Sequence, residues 1–181
     1  MLYSFIKVFC VVSFAVLAGS GCDLIYGVLQ KEGAQEKKIL GEVIPSVANE
    51  KVELLQKLLL IHGANPGKID GKLGAQARQA IARFQEQSGL PVSRFVDQKT
   101  WQALNVFSAT GLVTNGSVDF AVAQEALRAA GFYAGAIDGR SGPKTIKAIK
   151  DFQKSRGLIV DGRVGRKTLS ALNDVLLLRH K

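Results

Sequence analysis

The 181-residue chain contains only two cysteines, two histidines and one tryptophan. Cys10 lies in an apolar amino-terminal run and the other cysteine is Cys22, so no disulfide framework can be built. His62 and His180 stand in no metal-ligand spacing, and no cysteine is placed to complete a zinc site. Neither a Cys–His pair nor a Ser–His–Asp set gains any support from spacing. A glycosidase pair is not excluded this way, because two carboxylates can meet from anywhere in a chain. The apolar run at residues 8–18 is shorter than the roughly 18 to 20 residues that span a bilayer. Acidic residues are outnumbered, 15 against 24 Lys and Arg, which leaves a net charge of +9. That balance fits an acidic partner (nucleic acid, anionic lipid or a carboxylate-bearing polymer) or an ordinary basic surface. With 47% hydrophobic residues the chain is globular rather than disordered.

What is present begins with "DGRSGPKT", residues 138–145. Its glycines and Lys-Thr pair raise the question of a phosphate loop. The spacing answers it: two residues separate Gly139 from Gly142, where such a loop needs four. Pro143 also removes an N–H from the donors that would cradle a phosphate, whereas proline suits the first position of a helix. The segment reads as a turn that starts a helix. Related segments are "DGKLGAQA" at 70–77, "DGRVGRKT" at 161–168 and a worn copy, "SRFVDQKT", at 93–100.

Asp138 minus Asp70 gives an offset of 68. At this offset Gln56 meets Gln124, Leu59 meets Leu127, Gly63 meets Gly131, "FQ" at 84–85 meets "FQ" at 152–153, and "ALN" at 103–105 meets "ALN" at 171–173. The chain therefore carries two copies of one module. Module 1 is expected at residues 50–107, a linker at 108–117 and module 2 at 118–176.

Each copy reads as three helices, so the predicted fold class is all-α. In module 2, Ser117 is the expected N-cap of the first helix, whose periodic residues are Val118, Val122, Ala126 and Leu127. The second helix opens at Pro143 and places Thr145, Ala148, Ile149 and Phe152 on one face. Thr168, Leu169 and Leu172 belong to a third, short helix. Module 1 repeats the pattern with Leu55, Leu58 and Leu59, then Ala77, Ala80, Ile81 and Phe84, then Trp101 and Leu104. Phe84 and Phe152 are expected to be core residues rather than binding aromatics.

The amino terminus, "MLYSFIKVFCVVSFAVLAGSGC", has Lys7, a short apolar middle and a small-residue end, the layout of an export signal. Its close, "LAGSGC", resembles a bacterial lipoprotein signal, with Gly19 where an aliphatic residue is usual. That resemblance implies a signal at residues 1–21 and acylation of Cys22. Ordinary cleavage nearby is the alternative. Residues 22–49 show no persistent apolar face and are expected to be a tether.

The order "LQ…L…G…IDG…G…A…FQ…GL…D/G…T…L", carried by "IDGRSGPKT", "AIKDFQKSRGL" and "VDGRVGRKTL", resembles the peptidoglycan-binding-like domain of bacterial cell-wall proteins. The resemblance covers both copies. It implies a three-helix module that binds cell wall and accompanies a separate catalytic domain in hydrolases and transpeptidases. Module 1 departs from the pattern at "AQA" for "PKT", at "HGANPG" for the usual aromatic, and at "SRFVD" for the second Asp-Gly turn.

Asp70, Asp138 and Asp161 in the turns can accept backbone N–H groups, while Gly71 and Gly139 supply positive φ. If the turns line a groove, the binding candidates are Tyr133, Asp138, Gly139, Arg140, Lys144 and Arg163 in module 2. In module 1 they are Asp70, Gly71, Lys72 and Lys68. The cations would pair with peptide carboxylates and Tyr133 would stack on a sugar or peptide. An ordinary solvated surface is the competing reading. The expected protein is a non-enzymatic lipoprotein with no metal and no cofactor, facing the periplasm of a bacterial envelope and held to a membrane by a lipid anchor. Its expected partner is peptidoglycan, not nucleic acid, which the export signal opposes. The alternative function is an adaptor that uses the same fold to bind other envelope proteins.

Overall fold

A computed structural model describes the backbone of residues 21–179 and the side chains from residue 30 to residue 179. The signal expected at 1–21 lies outside the described residues but for Gly21, as do the side chains of Cys22 and His180. The element order is α1 (Gly21–Leu40), α2 (Glu50–Ile61), α3 (Ala75–Gln87), α4 (Gln98–Leu104), β1 (Val113–Thr114), β2 (Ser117–Val118), α5 (Phe120–Ala129), α6 (Pro143–Ser155) and α7 (Arg166–Arg179). The fold is all-α, with α2–α4 forming module 1 and α5–α7 forming module 2. No described helix is long and apolar enough to cross a membrane.

The helices start where their caps dictate. Asn49 accepts the N–H groups of Lys51 and Val52 at 2.9 and 3.2 Å, and Asp97 accepts that of Thr100 at 2.7 Å. Pro143 opens α6 at a position where its missing N–H costs nothing. The cap of α5 is Asp119, which accepts from Ala121 and Val122, and not Ser117 as expected. Ser117 is drawn instead into a β-hairpin, paired with Thr114. The hairpin's two-residue turn is Asn115-Gly116, with φ of 52° and 70°. Asn-Gly favours this turn because both of its positions need positive φ. The hairpin rests on α2, and a Cβ on Gly116 would sit 2.6 Å from Cβ of Lys57.

The helix phases read from periodicity hold except at Val118, which lies in β2, paired with Val113, before α5 begins. Leu55, Leu59, Ala80, Ile81, Phe84, Leu127, Ile149, Phe152, Leu169 and Leu172 are all buried. Leu112 and Val113, between the two modules, are buried in the same hydrophobic cluster as both cores. Thr110, in the segment between the modules, donates its hydroxyl to Oδ1 of Asn173 at 2.7 Å and ties that segment to module 2. Helix α7 runs 14 residues, twice the 7 of α4, and so is not the short helix expected.

The segment expected to be a tether is helical through Leu40, and its end packs on module 1. Leu40 is buried, as is Glu36 at 5% exposure. Arg78 on α3 clasps both carboxylate oxygens of Glu36 at 2.7 and 2.8 Å. The Val96 N–H donates to the same carboxylate at 2.9 Å. Ile39 packs beside Leu40, and Asn49 and Lys51 donate to the last carbonyls of the helix, so few apolar residues dock the helix end and no long periodic face is visible in sequence.

Candidate turn sites and their glutamine clamps

Four buried glutamines organise the four turns. Each lies on the apolar face of a helix and reaches into the turn that follows. In module 2, Oε1 of Gln124 accepts the N–H groups of Asp138 and Gly139, both at 3.0 Å. Its amide donates to Oδ1 of Asp138 at 2.8 Å, to the Arg140 carbonyl at 3.1 Å and to the Thr145 hydroxyl at 3.0 Å. Gln153 treats the next turn alike: it accepts from Gly162 and donates to Asp161, to the Arg163 carbonyl and to Thr168. In module 1, Gln56 holds Asp70, Gly71 and the Lys72 carbonyl. Where module 2 has Thr145, module 1 has Ala77, so Gln56 has no hydroxyl partner there. A buried amide must be satisfied on both ends, and these turns are shaped to do so.

The fourth turn corrects an expectation. "SRFVD" was read as the loss of an Asp-Gly turn, yet the geometry persists. Gln85 accepts from the N–H groups of Ser93 and Arg94 at 3.1 and 3.0 Å and donates to the Phe95 carbonyl at 2.8 Å. Ser93 stands in for the aspartate, its hydroxyl accepting the Phe95 N–H at 3.2 Å. Arg94 stands in for the glycine and adopts φ of 66°. The strain of that left-handed residue, about 1–2 kcal/mol, is offset where Arg78 donates to the Arg94 carbonyl at 3.0 Å and α1 braces Val96.

The aspartates serve the turns. Oδ1 of Asp138 accepts the Arg140 N–H at 2.9 Å, that of Asp161 the Arg163 N–H at 2.8 Å, and that of Asp70 the Lys72 N–H at 3.0 Å. All three carboxyls are held below the usual value of 3.8. For Asp138 the Gln124 amide is the largest cause. For Asp70 and Asp161 it is the N–H two residues on, with the glutamine next.

The other candidates separate. Tyr133 was expected to offer its ring to a ligand. It is buried at 7% exposure, and its hydroxyl donates to the Ala136 carbonyl at 2.7 Å and accepts from Gln124. It therefore belongs to the turn's support and cannot stack face-on. Gly71 is buried too: its carbonyl accepts the Asn49 N–H at 2.9 Å, and a Cβ there would come within 2.9 Å of the Asn49 backbone. Gly139 is exposed, with φ of 69°. Lys68 and Lys72 line one shallow cleft of 220 Å³ with Asp70. Lys144 lines another of 280 Å³ with Lys147, Asp151 and an edge of Tyr133. Arg140 and Arg163 are exposed and line neither.

Among the described residues no three His, Cys, Asp or Glu side chains gather as a metal-ligand set. His62 is buried in module 1, where Nε2 lies 3.0 Å from the Leu104 carbonyl and the ring stacks on Phe107 at 5.3 Å. Burial lowers its pKa from the usual 6.5, which keeps the ring neutral. The clamping glutamines were missed as site-builders in the sequence reading. Their signal was legible: a Gln stands on the apolar face 14 residues before Asp70 and Asp138, and 8 residues before Asp161 and Ser93.

Residues 48–104 and 110–172 each match the family described as "Putative peptidoglycan binding domain". Over 94 residues the chain is 34% identical to the N-acetylmuramoyl-L-alanine amidase CwlM of Mycobacterium tuberculosis (strain ATCC 25618 / H37Rv). That match covers 46% of this chain and 23% of the relative. No solved structure matches the chain.

Proposed function

The chain belongs to the peptidoglycan-binding domain family, and from that premise we propose that it is a non-catalytic cell-wall-binding lipoprotein of a bacterial envelope. The observation that carries this reading is the tandem: two family modules, each with both clamped turns intact, occupy residues 48–172. Two weak sites on one chain gain from effective concentration, so modest affinity per module suffices. The relative is an amidase by name, and the 94-residue match covers 23% of it. Cys22 follows the small residues Ser20 and Gly21, and its acylation would hold the modules at a membrane facing the periplasm. More than one acyl chain is needed for a stable anchor.

The test is sedimentation of the purified protein with sacculi. The protein is expected to pellet with them and to release no soluble sugar or peptide. Release of soluble fragments would overturn the non-catalytic reading. Failure to pellet, together with capture of one defined protein from envelope extract, would favour the adaptor instead. For the anchor, a lipid label should enter the wild-type protein and not Cys22→Ser; label in both would remove Cys22 as the site.

A further inference from the structure

Between the ends of α5 and α7 lies a cleft of 760 Å³, far larger than those beside the turns. Arg128, Arg156 and Arg179 stand on its walls, with Ala130, Ile137 and Val175 among them. Glu125 also lines it, so the lining carries three positive charges and one negative. Among the described residues no carboxylate lies within 4 Å of any of the three guanidinium groups. Two of them are held in place by the fold. Arg128 donates to the Gly135 carbonyl, and Arg156 lies over the Phe152 ring at 5.3 Å. Held guanidiniums lose little freedom when they bind a planar anion.

In module 1 the corresponding space is occupied by side chains. At the offset of 68 the three arginines correspond to Leu60, Ser88 and Gly111, and Ala130 corresponds to His62. His62 fills that space in module 1. It packs edge-on against Phe84 at 4.9 Å and flat against Phe107 at 5.3 Å. Phe107 reaches it because α4 stops at Leu104 and the chain folds back, whereas α7 continues to Arg179. A small residue and a longer helix together open in module 2 what an imidazole and a phenyl ring close in module 1.

We propose that this cleft is the ligand site of module 2, and that it takes the carboxylate end of a short peptide with small aliphatic side chains. The guanidiniums offer paired donors to a carboxylate. The alanine, isoleucine and valine surfaces between them offer apolar contact to small aliphatic groups. The proposal rests on the cell-wall reading, since the peptide of that polymer supplies the carboxylates. It moves the contact away from Tyr133, Arg140 and Arg163.

The experiment uses the purified full chain and two readouts. Alanyl-alanine with a free carboxylate is titrated while amide shifts are followed by NMR, beside its C-terminal amide and inorganic phosphate. Sedimentation with sacculi is measured in parallel. The free dipeptide should shift amides of α5 and α7, and the amidated one should bind at least about tenfold more weakly. Ala130→His, which copies module 1, and Arg156→Gln with Arg179→Gln should each remove the dipeptide response and weaken sedimentation. The arginine pair is exposed, so its loss should lower the melt only slightly, through the Arg156–Phe152 contact, even if Ala130→His folds poorly. Equal binding of phosphate would assign the cleft to anions in general and overturn the peptide claim. Sedimentation that survives the arginine pair, or dipeptide shifts confined to the Asp-Gly turns, would overturn the site while leaving the cell-wall reading intact. A wild-type chain that ignores sacculi would overturn both.

Discussion

The two modules share a scaffold and differ in what is laid against it. Each has three helices, two glutamine-clamped turns and a central phenylalanine with almost no exposure. Module 1 is covered: α1 seals its fourth turn through Glu36, the hairpin rests on α2, and His62 with Phe107 fills the space beside α4. Module 2 keeps the corresponding space open, with arginines around it. The difference teaches that the Asp-Gly turns, the most conspicuous repeated feature, have an architectural role in both modules. In each, one carboxylate oxygen of the aspartate is engaged within the turn. The unrepeated residues are the better guide to where the two copies diverge in use.

The likeness of the cores can be tested first. Phe84→Ala and Phe152→Ala should each cost about 3–5 kcal/mol, read as matched falls in the denaturant midpoint. A large loss for one and little for the other would break the equivalence. Glu36→Ala should act on module 1 alone, because it strands Arg78 and the Val96 N–H. The expected loss is roughly 2–3 kcal/mol, at the low end for a buried pair since Arg78 keeps a wet side. Hydrogen exchange should quicken around residues 93–97 and stay unchanged around 161–165; equal quickening in both would show that α1 braces neither turn in particular.

Gly139→Ala has room for its Cβ, whose nearest neighbour would be Ala121 at 3.8 Å, so it should lose only about 1 kcal/mol to positive φ. Gly71→Ala meets the Asn49 backbone at 2.9 Å and should lose roughly 1–3 kcal/mol more. Equal losses in thermal melts would mean that the Asn49 cap yields freely. The smallest effect is in acid. Asp70, Asp138 and Asp161 have folded pKa values below 3.8, so their contribution is full above that value and fades as pH falls through the folded values. Stability measured from pH 5 downward should fall less steeply in Asp161→Asn than in wild type. The Ser93 turn has no carboxylate at that position and should give no such difference in Ser93→Ala.

Much of the scaffold was legible because it is periodic. Leu, Ile and Phe at helical spacing give the phases, and the offset of 68 gives the tandem. The N-cap at Asp119 was hidden by a hairpin whose own signal, Asn115-Gly116, was there to be read. The docking of α1 was not legible, since Glu36 makes no pattern until its partners Arg78 and Val96, 42 and 60 positions away, are in place. Tyr133 was misread because an aromatic beside a turn looks alike whether it faces a ligand or a glutamine. The cleft was not legible at all. Arg128, Arg156 and Arg179 are separated by 28 and 23 residues and meet only through the packing of α5, α6 and α7.

The central claim is that two like folds bind unlike, and sedimentation of sacculi with two full-chain variants tests it most directly. One variant replaces Arg128, Arg156 and Arg179 of module 2 with glutamine. The other replaces Lys68 and Lys72 beside the first turn of module 1. The triple variant should lose at least about tenfold in apparent affinity and the lysine variant no more than about twofold, with both still melting cooperatively as folded chains. Equal losses, or a larger loss for the lysine variant, would contradict the account.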